Sequence, residues 1–543
     1  MTDTRFSLVL DGTTLPSRER IGGKAWSVAR MRALGLPVPP AFVLTTDACR
    51  AYFDAGGQLP PGLMDEVRGG IAQLEAATGR RFGGGDGGDG DDRRDDARAL
   101  LVSVRSGAPV SMPGMMDTVL NLGICDAAEA ALARETGSDA FARDTRRRFL
   151  DLFARIVLRA EAGTLDPDAS VAAWQAQIAR AAGAPVPDDP WQQLEAAIRA
   201  VFDSWHGRRA KRYREHHGIA HTMGTAVTVQ AMVFGNSDAR SGTGVLFSRN
   251  PLSGDATPYG EYLACAQGED VVSGSHTPQS LDALARALPD VHAQLLHASA
   301  VLERENRDVQ DIEFTVERGR LHLLQSRSAK RSPAAAVRCA VDLVDEGCIT
   351  PDEALTRVSA EQVRLLLRPR LADGPALAAA VPVATGEAAS PGVGVGVVVA
   401  DADSAEAQHA AGAQVVLARP TTSPEDVHGM LVACAVITER GGSTSHAAVV
   451  SRQLGVPCVV GCGDGALAAL TGRTVTVDGT GGRVFDGALP VEAPDEAALP
   501  ALARLRAWAE AALAHDGIDT LAVQQTLPAL LAACAARRDT PRT

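Results

Sequence analysis

The spacing of apolar and polar residues changes several times along the chain, and each change predicts a different kind of element. Over residues 127–217 apolar side chains recur at helical spacing. Phe149, Phe153, Ile156 and Val157 form one stripe, and Leu194, Ile198, Val201, Phe202 and Trp205 another, as in helices that turn one face to a core. Residues 225–247 switch to strand-like runs, TAVTVQAMVFG and GTGVLFSRNP. VQDIEFTVERGRLHLLQSR, ending at Arg327, alternates about a turn at Glu317-Arg318-Gly319-Arg320 and predicts a β-hairpin. Helical character returns over 334–366. Residues 372–389 are rich in Ala and Pro and predict a linker. SPGVGVGVVV, from Ser390, predicts the opening strand of a further domain that closes near Asp486, and 496–514 and 527–538 predict alanine-rich helices.

The densest pattern lies at 438–463, TERGGSTSHAAVVSRQLGVPCVVGCG. The apolar run Ala435-Val436-Ile437 ends at Gly441-Gly442. Ser443 or Thr444 is placed to cap a helix, whose apolar face is Val449, Val450 and Leu454. Gly455 and Pro457 end it before a buried strand, Cys458-Val459-Val460. His446 falls in the first helical turn. Partial positive charge at a helix start disfavours a protonated imidazole, which keeps a nucleophilic lone pair near neutral pH. The same N–H groups, with the hydroxyls of Ser443, Thr444 and Ser445, suit an anion. A structural histidine is the alternative.

Composition narrows the classes. A length of 543 residues suggests roughly three or four domains. Aromatic content of 4% leaves the cores to Ala, Leu and Val, and a net charge of −13 argues against nucleic acid or an anionic membrane as partner. The nine cysteines show neither disulfide-scaffold nor zinc spacing, which fits a reducing cytoplasm. The N-terminus lacks the apolar core of a signal peptide, and no tract is long and apolar enough to predict a membrane span.

Other stretches carry candidate chemistry. Gly22-Gly23-Lys24 is either a phosphate loop or a turn before an amphipathic helix. LLVSVRSGAPVSMPGMMDTVLNL delivers Arg105 from a strand into a loop with Gly107 and Gly114, the composition of a mobile lid beside a fixed cation. The Gly/Asp-rich insert at 83–98 matches no calcium-loop spacing and predicts a solvated loop. The basic run Arg208–Arg214 predicts a solvated helix end, and His216, His217 and His221 lack the companions of a metal site. Asp311 and Glu313 share one face of the hairpin, as do Gln325 and Arg327. Two carboxylates opposite a cation suit Mg²⁺ bridged to phosphates or, alternatively, a surface ion-pair ladder.

Taken together, SVRSGAPVSMPGMMDTVLNLG, GTGVLFSRNP, YGEYL, AQGEDVVSG, QDIEF with LLQSR, and TERGGSTSHAAVVSRQLGVPCVVGC resemble the pyruvate, phosphate dikinase family, in the family's order. The SMPGMMDT loop favours it over the related phosphoenolpyruvate synthases. The resemblance implies an α/β multidomain chain: an ATP-grasp-type nucleotide-binding domain with a helical insert, then a swivelling β/β/α phosphohistidine domain. The implied boundaries are 1–330 for the ATP-grasp domain (helical insert about 124–222, flexible insert 83–98), 331–382 for a helical linker, 383–490 for the phosphohistidine domain and 491–543 for a helical tail. The implied activity moves the β-phosphoryl of ATP to His446 and the γ-phosphoryl to Pi, giving AMP and PPi. Lys24, Arg105, Gly114, Glu269, Asp311, Glu313, Gln325 and Arg327 would serve ATP, with Asp311, Glu313 and Gln325 at Mg²⁺. The backbone at Gln230, Met232 and Val233 would meet adenine, and Thr444 would be a regulatory position.

Two departures stand out. His276 occupies a position where the family usually has arginine, and the chain stops where the family's (β/α)8 barrel for pyruvate or phosphoenolpyruvate would start. The expectation is therefore a cytoplasmic, histidine-autophosphorylating half of a dikinase, with pyruvate reached through a separate barrel-containing chain. Alternatives are a dikinase with another acceptor and a non-catalytic nucleotide-binding subunit. Homo-oligomerisation is left open.

Overall fold

The computed structural model describes residues 5–84, 98–110, 112, 118–216, 218–272, 278–367, 370–372, 374–492, 499–516 and 526–539. The expected lid glycine Gly114, most of the insert at 83–98, His217 and His276 lie outside them. The chain divides into one unit of Met1–Gly242 with Thr315–Ser326, and a second of Thr243–Phe314 with Arg327–Thr543.

The first unit is built on an antiparallel sheet of β1 (Ser7–Val9), β2 (Ala41–Leu44), β3 (Val102–Gly107), β4 (Thr118–Leu122) and β5 (Ala226–Ala231), in the order β1-β2-β5-β3-β4. Period-2 alternation gives the sheet two characters. Val102, Val104, Val227 and Val229 face an apolar core shared with Phe149, Phe153, Trp174, Leu194, Ile198, Val201 and Phe202. Ser103, Arg105, Thr228 and Gln230 lie on the opposite face, with Ser103 paired to Gln230 and Arg105 to Thr228. The core helices include Asp139–Ile156, Val171–Ala182 and Pro190–Ser204, so both sequence stripes are core.

A second sheet has β6 (Gly242–Phe247), β7 (Tyr259–Ala264), β8 (Gln279–Ser280), β9 (Gln310–Glu317) and β10 (Arg320–Ser328) in the order β8-β7-β6-β9-β10. β9 and β10 are the hairpin expected from alternation.

The eight strands β11 (Pro382–Thr385), β12 (Glu387–Ser390), β13 (Val393–Val399), β14 (Val415–Arg419), β15 (Ala435–Thr438), β16 (Cys458–Val460), β17 (Thr474–Asp478) and β18 (Arg483–Asp486) form a sheet ordered β11-β18-β17-β13-β14-β15-β16-β12. β13 to β16 run parallel. Val399, Leu417, Val436 and Val460 supply the core on one face, and Val398, Val416, Ile437 and Val459 that on the other. Here the structure differs from the linker expected at 372–389, because β11 and β12 are the two edges of this sheet. Pro382 opens β11 opposite Phe485, a place at the start of an edge strand where proline's missing N–H is tolerated.

Helices Pro333–Asp345, Pro351–Arg357 and Ala360–Leu366 pack with Pro500–His515 and Leu527–Asp539 around one core. It contains Val337, Leu343, Leu355, Val363, Leu502, Leu505 and Leu513. Among the described residues no helix is long and apolar enough to cross a membrane.

Candidate functional site

His446 is the first residue of α1 (His446–Leu454), between parallel strands β15 and β16. The strand, glycine turn, helix and strand follow the sequence pattern, with one correction. Ser445 is the N-cap, its side chain accepting from Ala448 N–H, rather than Ser443 or Thr444. Gly441 has φ +113°, a conformation that favours glycine, and Gly455 ends the helix at φ +66°.

The ring of His446 is held asymmetrically. Nδ1 lies 3.2 Å from Thr422 Oγ1. Nε2 is buried and has no hydrogen-bond partner among the described residues. Burial pulls the imidazole pKa down to about 4, with the Asp426 carboxylate opposing, so the ring is neutral at physiological pH. In the tautomer that donates Nδ1–H to Thr422, the Nε2 lone pair is left to react.

The hydroxyls expected to cradle an anion are engaged elsewhere in this conformation. Ser443 Oγ donates to Glu261 Oε1 at 2.7 Å, and Thr444 Oγ1 donates to Glu261 Oε2. A Cβ on Gly442 would come within 2.8 Å of Glu261 Oε1, which is the physical need for that glycine. Tyr259 hydroxyl reaches both Ser443 Oγ (2.7 Å) and Glu387 Oε1 (2.8 Å), while Ser443 N–H donates to Glu387 Oε2. Glu261 is 7% exposed. Burial raises its carboxyl above the usual range, against the lowering effect of the two hydroxyls.

In the first unit, Arg105 gathers several of the expected residues on the polar face of the sheet. Its Nη2 donates to Gln325 Oε1 at 3.0 Å, and its Nη1 lies 3.4 Å from Gln230 Oε1 and from the Leu324 carbonyl. Lys24 follows a break in helix Arg18–Ala33, where Gly22 has φ +75°. A Cβ on Gly22 would lie 2.0 Å from the Gly107 carbonyl oxygen, and Gly23 N–H donates to the Ala108 carbonyl at 2.9 Å. The Lys24 turn is thereby pinned to the end of β3, beside Arg105. Met232 and Val233 are half-buried, and Met232 N–H is taken by the Leu101 carbonyl.

In the second unit, Asp311 Oδ2 accepts from Arg327 Nε at 2.8 Å. Its Oδ1 is buried and without a partner among the described residues. Burial raises the Asp311 carboxyl, opposed by Arg327 and reinforced by Glu313. The Glu269 side chain lies outside the described residues.

Residues 18–80 and 90–289 match the family model for the pyruvate phosphate dikinase AMP/ATP-binding domain. Residues 412–482, which contain His446, match that for the mobile domain of PEP-utilising enzymes. The chain carries the ATP-binding and mobile domains of the pyruvate, phosphate dikinase family. Similar proteins include maize pyruvate, phosphate dikinase 2, 43% identical over 88% of this chain and 56% of the relative. The Rhizobium meliloti pyruvate, phosphate dikinase is 41% identical over 88% and 57%, respectively. That of Clostridium symbiosum is 40% identical over 91% and 59%. The chain thus spans somewhat over half the length of these dikinases.

Several residues that build the histidine loop gave no separate sequence signal. Thr422 is 24 positions from His446, and Glu261 is 182 from Ser443. YGEYL entered only through the family resemblance and SPGVGVGVVV only as an opening strand, and neither assigned Glu261, Tyr259 or Glu387 a role.

Proposed function

We propose that this chain is an ATP-dependent phosphotransferase that autophosphorylates His446 as part of a dikinase reaction converting ATP, Pi and pyruvate to AMP, PPi and phosphoenolpyruvate. The observation that carries the reading is the His446 ring: neutral, tied at Nδ1 to Thr422, with Nε2 unpartnered at a helix start. Nε2 attacks the β-phosphorus of ATP, forming a P–N bond as the bond to the oxygen of AMP breaks. The γ-phosphoryl passes to Pi, giving PPi. Splitting the transfer in two lets one nucleophile serve two acceptors.

Within this reading Lys24 and Arg105 hold the polyphosphate, and the 230–233 backbone meets adenine. Gly114 covers the nucleotide and Glu269 assists at the phosphates, both on the strength of the family resemblance. Among the described residues no group of three or more His, Cys, Asp or Glu could hold a metal by itself. The unpartnered, buried Asp311 Oδ1 and the carboxylate donors of Asp311 and Glu313 fit Mg²⁺, a hard cation that takes one or two carboxylates and completes its shell with phosphates. Gln325 is placed at the same cation in this proposal. Mg²⁺ would neutralise charge developing on the phosphoryl oxygens. Arg327 orients Asp311 through its Nε–H.

The proposed domains are 1–330, 331–382, 383–490 and 491–543, with the third swivelling between nucleotide and acceptor. Thr444 is the proposed site of regulatory modification. Pyruvate would be reached through a barrel-containing polypeptide, supplied separately in the test. Incubation with β-labelled ATP, Mg²⁺ and Pi should give acid-labile label on the wild type and none on His446→Ala. Equal labelling of both would overturn the reading. Added barrel protein with pyruvate should then discharge the label as phosphoenolpyruvate.

A further inference from the structure

Arg452 is 3% exposed and lies in the same helix as His446. It has no carboxylate at ion-pair distance among the described residues. Its Nη2 donates to the Ser443 carbonyl at 2.7 Å and its Nη1 to the Ala389 carbonyl at 2.9 Å, while Nε has no partner. A buried cation with no carboxylate in contact, only the more distant charges of Asp311 and Glu261, is an expensive arrangement, and an apolar side chain of similar length would pack at lower cost. What the guanidinium does, and an apolar chain cannot, is tie two carbonyls from separate segments with one rigid planar group. Ala389 belongs to edge strand β12, and Ser443 to the loop leading into α1. Helical side chains lean toward the N-terminus, so the guanidinium reaches back to the loop that sets the start of the helix. That loop is closed on its other side by Ser445 N–H donating to the Gly442 carbonyl.

We propose that Arg452 is a positioning residue for His446: it clamps the 441–445 loop against β12 and so fixes the first residue of the helix, whose ring must meet Thr422 with Nδ1 and keep Nε2 free of other partners. The inference rests on the reading of His446 as the phosphoryl acceptor.

The test uses the full chain with Arg452→Met and Arg452→Lys. The measurements are thermal unfolding, imidazole ¹⁵N signals of His446, and the rate of phosphohistidine formation against ATP concentration. The Met variant is expected to lose about ten-fold or more in maximal rate with KM for ATP within about two-fold, because positioning acts on the step and not on nucleotide binding. Its ring signals should shift toward mixed tautomers, and Lys, which can reach one carbonyl, should recover part of both. A folded Met variant with wild-type rate and ring signals would overturn the proposal. If Met does not fold, an unchanged rate and unchanged ring signals in Lys would overturn it equally. Absence of phosphohistidine in the wild type would instead refute the phosphoryl-acceptor reading, and the ring signals would still decide the clamp.

Discussion

Thr422 Oγ1 lies 3.2 Å from Nδ1 of His446, and the two ring nitrogens therefore have different surroundings. A hydroxyl accepting from Nδ1–H leaves Nε2 without a proton, and Nε2 is the nitrogen with no other partner. Thr422→Val keeps the side-chain shape and removes the acceptor. Autophosphorylation should fall roughly ten-fold as the Nε2–H tautomer gains population and Nδ1 is left unpaired. Imidazole ¹⁵N shifts and single-turnover labelling check this together. A wild-type rate with a mixed tautomer would separate the contact from the chemistry.

The low basicity of His446 makes a pH prediction with a definite sign. Burial holds the folded ring at about 4, against an ordinary value of 6.5. Between those limits the unfolded chain binds a proton at this ring and the folded chain does not, so this group lowers stability as pH falls from 6.5 toward 4. The full effect is at most roughly 3.5 kcal/mol, at about 1.4 kcal/mol per pKa unit. His446→Gln should flatten that part of the stability–pH curve in urea unfolding. Nucleophilic competence should persist below pH 6, and a ring titration midpoint near the ordinary value would contradict the buried, neutral state.

Glu261 makes a third case. Its two carboxyl oxygens accept from the hydroxyls of Ser443 and Thr444, and Tyr259 links Ser443 to Glu387. Burial raises the Glu261 carboxyl above its ordinary range, against the lowering effect of the Ser443 and Thr444 hydroxyls. A raised folded pKa means stability that is present at low pH and lost as pH climbs through the raised value. Glu261→Gln keeps the side-chain shape and removes the titrating group, so it should preserve hydrogen-exchange protection of residues 441–446 into higher pH. Glu261→Ala should lose that protection at every pH. Thr444→Asp should also lose it, by placing a second acidic group against Glu261, and Glu261→Gln should restore part of the loss. Additive effects of Thr444→Asp and Glu261→Gln would show that the two residues are not coupled.

What could be read from the sequence follows from how local each signal is. Gly441 to Gly455 encodes its own turn, cap and helix within a few residues, so the unit around His446 was visible in outline. The cap itself fell on Ser445 because Ser443 and Thr444 are engaged by Glu261, a partner supplied by tertiary structure. The β9–β10 hairpin was legible for the same local reason, its alternation and turn being contiguous. β11 and β12 were not legible, since short Ala- and Pro-containing edges carry little alternation and gain their structure from Phe485 and Val459 across the sheet. Thr422 and Arg452 were likewise invisible as partners of the histidine loop, because hydrogen bonds to a ring nitrogen or to a carbonyl leave no periodic trace.

The alanine-rich C-terminal helices lead to the last prediction. Read alone, Pro500–His515 is a helix with few large apolar residues, and a dispensable appendage would tolerate truncation of any of them. Yet Leu502, Leu505 and Leu513 are fully buried, in one core with Val337, Leu343, Leu355 and Val363. Small alanines allow close approach between helices, so each remaining leucine fills space that nothing else can fill. Leu505→Ala should therefore cost about 2–5 kcal/mol, the range for a cavity in a core that cannot collapse fully. Arg504→Ala, one position away, removes an exposed ion pair with Asp345 and a cation–π contact with Trp508 and should cost no more than about 1–2 kcal/mol. Urea unfolding of the two variants side by side separates the cases. Equal, small effects would show that these helices stand apart from the stability of the unit, whereas a large loss confined to Leu505→Ala would establish the helical layer as part of its core.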